Sequence, residues 1–219
     1  MPPFTGRGPA PWPATHDRTP YTPRGQSRSR ARTFPRARRA SGVPVKTEPV
    51  SIRPLRPADL PLVADLLVKV HAVDGYPVEG VADPTAWVSS PAVLRSWVAE
   101  LDGVVVGHVA LMAADGEDAA RLIRERDRDR DESVADDELR ALARLFVSPD
   151  ARNRSVGRLL VRTVMDHAQG AGQRLVLNVL HKDQAATRLY RRLGWRYLGD
   201  TDHRHDDGSA PAACYTWPA

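Results

Sequence analysis

The stretch from Leu145 to Leu160 limits what this chain can fold into more than any other part of it. It opens with the apolar run Leu145-Phe146-Val147 and stops at a Ser148-Pro149-Asp150 turn. The loop Arg152-Asn153-Arg154-Ser155 follows, and Val156-Gly157-Arg158-Leu159-Leu160 begins a helix. A strand that feeds a helix through a short loop calls for an α/β layer. It also presents an anion site, because the first N–H groups of a helix have no partner inside the helix and the dipole adds partial positive charge. Arg152, Arg154 and Arg158 add full charges, and Gly157 lets a ligand approach the backbone. Taken alone, the segment also reads as an ordinary strand–helix turn.

The segment resembles motif A of the GNAT superfamily of N-acyltransferases, Q/R-x-x-G-x-G/A, with Arg152, Ser155 and Gly157 in the three places. Ser155 stands where that family prefers glycine. A left-handed backbone there costs a serine about 1 kcal/mol. Asp183 to Trp195 resembles motif B, N-x-x-A-x-x-x-Y-x-x-x-G-F: Ala186, Tyr190 and Gly194 fall in register, while Asp183 replaces Asn and Trp195 replaces Phe. Ile52 to Pro61 looks like the family's first strand entering its first helix. The resemblance covers roughly residues 48–217.

It implies a GNAT-type acyltransferase fold of class α/β, a mixed central sheet flanked by helices. It also implies acetyl-CoA as cosubstrate, lying between the strands Leu139–Val147 and Arg174–Leu180. The pantetheine arm would bond to the backbone of Leu145, Phe146 and Val147. The pyrophosphate would sit on Arg152, Asn153, Arg154, Ser155, Val156, Gly157 and Arg158, with Asp183 as a coenzyme neighbour. Tyr190 takes the position of the acid that protonates the leaving thiolate. Packing on its helix face is the other reading of that tyrosine. The implied reaction moves an acetyl group to a primary amine of a small molecule, an amino acid or a protein, with no metal.

Charge divides the chain. Residues 1–47 hold ten Arg or Lys and one acid, a charge of +9, which leaves −4 on the rest of a chain that totals +5. The same 47 residues contain nine of the 19 prolines. Such a segment buries too little apolar surface to offset ordering entropy, so it is expected to be a disordered tail. It reads as a basic arm with weak, salt-sensitive nucleic-acid contacts, as an extension without function, or as an upstream start-site artefact. Residues 48–219 form the expected acetyltransferase domain. The first residues do not read as a signal peptide and no apolar run is long enough to cross a membrane. With a single cysteine, this suggests a cytoplasmic, reducing setting. A homodimer is compatible with the sequence.

Periodicity predicts a helix after Asp59, which is expected to cap it, with Leu60, Val63, Leu66, Leu67 and Val70 on one face. A short helix is expected within Pro91–Ser96, and a hairpin at Asp102-Gly103 joins strands 97–101 and 104–112. The charged stretch 113–137 reads as a solvated helix or an insertion. A helix follows Val156, a strand covers Arg174–Leu180, and another helix runs from Asp183, its expected N-cap. Tyr197–Gly199 and Ala212–Trp217 form a last pair.

The general base is not legible. Glu100, His108 and Glu138 are the candidates, each also readable as a structural side chain. Asn178 either reaches substrate or bridges strands. Cys214 reads as a buried strand residue. His203 and His205, in a hairpin turn with no distant partner, are weak for zinc. Two rivals to catalysis remain open: a non-catalytic acyl-CoA-binding sensor, and a nucleic-acid-associated protein that uses the tail.

Overall fold

The computed structural model describes residues 49–128, 138–205 and 208–218; the expected tail lies outside these. In chain order the elements are β1 (Ser51–Pro54), α1 (Leu60–Asp74), α2 (Pro84–Val88), β2 (Val93–Leu101), β3 (Val104–Ala113), α3 (Asp118–Arg128), β4 (Leu139–Val147), α4 (Val156–Gly170), β5 (Arg174–Leu180), α5 (Gln184–Arg192), β6 (Arg196–His205) and β7 (Gly208–Trp217). The strands form one seven-stranded sheet in the order β1-β2-β3-β4-β5-β7-β6. Every neighbouring pair is antiparallel except β4 and β5. This is the mixed sheet with flanking helices that the sequence predicts.

Alternation along the strands sorts the core into two layers. On one face, Val156, Leu160, Val161 and Val164 of α4 pack with Val109 and Leu111 of β3, Leu142 of β4, and Leu175 and Leu177 of β5; Tyr190 of α5 joins the same cluster. On the other face, Ala119, Ala120 and Ile123 of α3 meet Ala110, Met112, Ala141, Val176 and Cys214. Farther along that face, Val63, Leu67 and Val70 of α1 meet Val88, Val98 and Phe146. At about 25 cal/mol per Å² of apolar surface, these layers supply the main force for folding.

The structure corrects several expectations. Residues 93–96 begin β2, and the short helix lies earlier, at Pro84–Val88, where the Asp83 carboxylate accepts from Ala86 N–H at 2.9 Å. Within 113–137, α3 is not merely solvated. It buries Ala119, Ala120, Ile123 and Asp127, and Asp127 is held by Arg174 at 3.0 Å. Residues 129–137 lie outside the described residues. The final hairpin is longer than expected, with β6 and β7 in register from Arg196↔Thr216 to His205↔Gly208.

Asp59 precedes α1 but does not cap it with its side chain. Arg53 grips its carboxylate with two bonds, at 2.6 and 2.9 Å, and the Arg56 N–H donates to it at 2.7 Å. The guanidinium of Arg53, more than any other group, holds the Asp59 carboxyl down to about 2. The same guanidinium donates to Glu100 at 2.8 Å, so one arginine ties β1, the α1 entry and β2 together.

Candidate functional site

β4 and β5 run side by side only from Leu139↔Arg174 to Ala141↔Val176. Beyond Ala141 the two strands separate. β4 continues on β3 as far as Gly107↔Val147, and β5 continues on β7 as far as Leu180↔Ala212. The edge of β4 that faces the gap therefore offers backbone groups with no partner strand, from about Arg144 to Val147.

A bulge sits at the mouth of this gap. β3 advances two residues, from His108 to Ala110, while β4 advances three, from Phe146 back to Ala143. The extra residue falls at Arg144, which has φ 55°. A bulge of this kind reverses which face each later side chain takes. Ala141 faces α3, and without the bulge Leu145 and Val147 would share that face. Instead they pack toward α4, and Phe146 turns to the α1 side. His108 pins the bulge. Its ring is fully buried, its Nδ1–H donates to the Arg144 carbonyl at 3.0 Å, and it stacks on Phe146 at 5.1 Å. Burial pushes its pKa down to about 4, so the ring is neutral near pH 7. This histidine supports the strand and does not open onto the gap.

The loop before α4 lies at the outer end of β4. Asn153 and Ser155 both adopt left-handed backbone, at φ 62° and 61°. Such turns aim neighbouring N–H groups to one side, which makes an anion-binding concavity. Arg152, Asn153, Arg154, Ser155 and Arg158 are all exposed, while Val156 is buried and anchors the helix. The Arg152 guanidinium is paired with Asp74 at the end of α1. Arg154 and Arg158 make no ion pair among the described residues. A Cβ on Gly157 would sit 3.5 Å from Leu189 and 3.8 Å from Val147, so the glycine faces the groove between α5 and β4.

Ser155 makes no side-chain capping bond, so its left-handed conformation is uncompensated. Ser155→Gly removes a strain of about 1–2 kcal/mol at an entropic cost of about 0.5–1 kcal/mol. We expect a net gain of about 0.5–1 kcal/mol in a denaturant titration. A loss of stability there would show that the serine hydroxyl holds something in place.

Five polar groups from five separate segments are linked in a chain of electrostatic contacts that includes Arg144 at the bulge. Tyr190, 5% exposed and 5.6 Å from the Trp195 ring, lies on the α4–α5 face. Burial pushes its pKa well up, with Asp183 adding to the effect, so the phenol keeps its proton. Among the described residues nothing hydrogen-bonds its hydroxyl. Tyr76, in the loop after α1, feels both Tyr190 and Arg144. Arg144 feels Tyr76, Glu117 and Glu79. Glu117, at the end of the β3–α3 turn, accepts from Asn178 Nδ2 at 2.7 Å, and desolvation raises its pKa. His203 of β6 is within electrostatic reach of Glu117 and pairs with Glu79 at 3.0 Å. Glu117, Asn178, Thr201 and His203 also line a polar cavity of about 610 Å³.

Sequence reading missed Glu117, since nothing separates it from the other charges of 113–137. Asn178 is the residue that places it: its amide donates to Glu117, and its carbonyl accepts from Ala119 N–H at 3.0 Å. Glu100 is two strands away from the gap and committed to Arg53, and Glu138 lies beyond the paired end of β4. Asp183 stands at the start of α5 without capping it through its side chain, and burial raises its pKa. Cys214 is buried on β7 with its thiol pushed up to about 12 by burial, and it donates to Asn178 at 3.3 Å. Among the described residues no cluster of three or more His, Cys, Asp or Glu side chains is arranged for a metal.

The sheet is thus split at its one parallel pair, with an exposed, arginine-bearing loop at the outer end of β4. Residues 63–195, more than half of the chain, match the model of the acetyltransferase (GNAT) family, and the chain belongs to that family of acyltransferases. It is 36% identical over 101 residues to a probable N-acetyltransferase camello of Xenopus tropicalis, a match that covers 46% of this chain and 37% of that protein. It is 30% identical over 124 residues to N-acetylaspartate synthetase of Mus musculus, covering 56% and 35%. The chain thus spans just over a third of the length of these curated relatives. The fold is shared with an Escherichia coli ribosomal-protein alanine N-acetyltransferase at TM-score 0.55 and 19% identity, covering 76% of this chain and 92% of that one. It is shared too with Arabidopsis thaliana NAA60 in complex with acetyl-CoA, at TM-score 0.56 and 19% identity, covering 77% and 97%.

Proposed function

We propose that this chain transfers the acetyl group of acetyl-CoA to a primary amine, with the donor threaded through the gap between β4 and β5. The observation that carries this reading is the gap itself: an unpaired β4 edge that leads to the Asn153–Arg158 loop. The pyrophosphate rests on that loop and on the charges of Arg154 and Arg158. The pantetheine arm bonds to the free backbone of Leu145–Val147 as a missing strand would. The thioester then sits at the Arg144 bulge, with the α4–α5 face on one side and the Glu117 cavity on the other.

The chemistry divides between the two faces. Glu117 removes a proton from the incoming ammonium, and its raised pKa brings it nearer neutrality, where a base is most effective. The amine nitrogen attacks the thioester carbon, and the oxyanion that develops is met by backbone N–H groups of the bulged strand. As the tetrahedral intermediate collapses, the C–S bond breaks and Tyr190 donates its proton to the departing thiolate, while the second proton on the nitrogen leaves to solvent, from which the Tyr190 phenolate is reprotonated. Asn178 holds Glu117 in place.

The test is calorimetry with acetyl-CoA on the Gly157→Val variant. The added methyl groups project into the groove against Leu189 and Val147, so we expect the affinity to fall at least about tenfold, roughly 1.4 kcal/mol. Gly157→Ala is the control, since its Cβ meets only ordinary contacts. Unchanged affinity in the valine variant, with its melting temperature intact, overturns the donor path.

A further inference from the structure

Arg144 bears three costs at once. Its backbone is left-handed at φ 55°, a conformation that a side chain other than glycine adopts at about 1–2 kcal/mol. Its guanidinium is partly withdrawn from water, and this desolvation pulls its pKa down. Its Nη1 is buried with no hydrogen-bond partner, where such nitrogens are nearly always satisfied. Costs that gather on one residue beside a reaction site point to use.

The chain has not neutralised this cation, although it has the means at hand. Two carboxylates, Glu79 and Glu117, lie within electrostatic reach of it. Glu79 is paired with His203, and Glu117 accepts from Asn178. Arg144 itself donates to the Ser90 hydroxyl at 2.8 Å, and its guanidinium carbon lies 4.8 Å from the centre of the Trp87 ring. A neutral hydroxyl and an aromatic face orient a guanidinium without cancelling its charge. An oriented, uncancelled cation at the acceptor side of the gap is made for an anion that arrives from outside.

We propose that Arg144 anchors a carboxylate of the acceptor, and that the acceptor is therefore an α-amino acid or an amine closely flanked by a carboxylate. The proposal rests on the acetyl-transfer reading above. An α-amino acid carries its ammonium and carboxylate on one carbon. Glu117 and Arg144 supply the complementary pair, one to take the proton and the other to hold the anion. Tyr76 and Trp87, edge to face at 5.9 Å, give the neighbouring apolar wall.

The probes are free L-amino acids, each matched with the amine it becomes on losing its carboxylate, for example L-phenylalanine with 2-phenylethylamine. Release of coenzyme A thiol is followed with the full chain and acetyl-CoA. We expect the amino acid of the best pair to exceed its decarboxylated partner in kcat/KM by about 10²-fold or more, since the partner leaves a polar site unpaired. Arg144→Gln should bring that ratio to within about threefold of one, and Arg144→Lys should restore part of it. A wild-type protein that accepts both members equally, or prefers the amine, overturns the proposal. So does an Arg144→Gln variant in which both rates fall together and the ratio stands, because that marks a structural role.

Binding separates this idea from the reading it rests on. N-acetyl amino acids and their decarboxylated amides are titrated calorimetrically into the protein saturated with coenzyme A. If no amine is acetylated, the transfer reading fails. Arg144-dependent preference for the carboxylate in this titration still upholds the anchor, and its absence removes it.

Discussion

Glu117→Gln should lower kcat by about 10²–10³-fold while acetyl-CoA affinity stays within twofold of wild type. Glutamine keeps the shape of the side chain and keeps a carbonyl for Asn178 Nδ2 to donate to, so the cavity is preserved and only the base is lost. The pH profile gives an independent sign. A base works when deprotonated, and desolvation lifts the Glu117 pKa above the ordinary carboxylate value. Wild-type kcat should therefore fall as pH drops through that raised pKa, and the variant should lack this acid limb. If both proteins share the same limb, another group takes the proton.

Tyr190→Phe should lower kcat by roughly 10²-fold or more, again with donor affinity held. Phenylalanine fills the same space against Trp195, 5.6 Å away, so packing is not at stake. Only the hydroxyl is removed. Because burial keeps the phenol protonated well beyond neutral pH, the wild-type acid should not titrate within the working range, unlike Glu117. Thioesters with a better leaving thiolate should narrow the gap between variant and wild type, since they need the proton less. Equal turnover in the two proteins reduces Tyr190 to a packing residue.

Local pattern carried most of the fold around the donor path. β4 and β5 have the bounds expected of them, and α4 starts at Val156 as its apolar period predicts. α3 was obscured because its buried face is Ala119, Ala120 and Ile123 with a salt-bridged Asp127, so its pattern reads as charge and small residues. The Arg144 bulge had no local signal: its left-handed residue is neither glycine nor asparagine, and it is held by His108 from the adjacent strand. The placement of Glu117 depends on Asn178, 61 residues away, and spacing along a chain does not report such a pairing. The residues with a motif are those proposed to meet the coenzyme. Those around the acceptor are defined only in three dimensions.

Three rungs, Leu139↔Arg174, Arg140↔Leu175 and Ala141↔Val176, are the entire seam between the four strands β1–β4 and the three strands β5–β7. Elsewhere the two halves are joined by side-chain packing, with α4 resting on β3 and β4 on one side of the seam and on β5 on the other. A donor bound as proposed would add backbone rungs where the two strands part, and so would tie the halves at both ends. Product release would then break those rungs again in each cycle. A change along the seam that touches no reacting atom can then alter the rate.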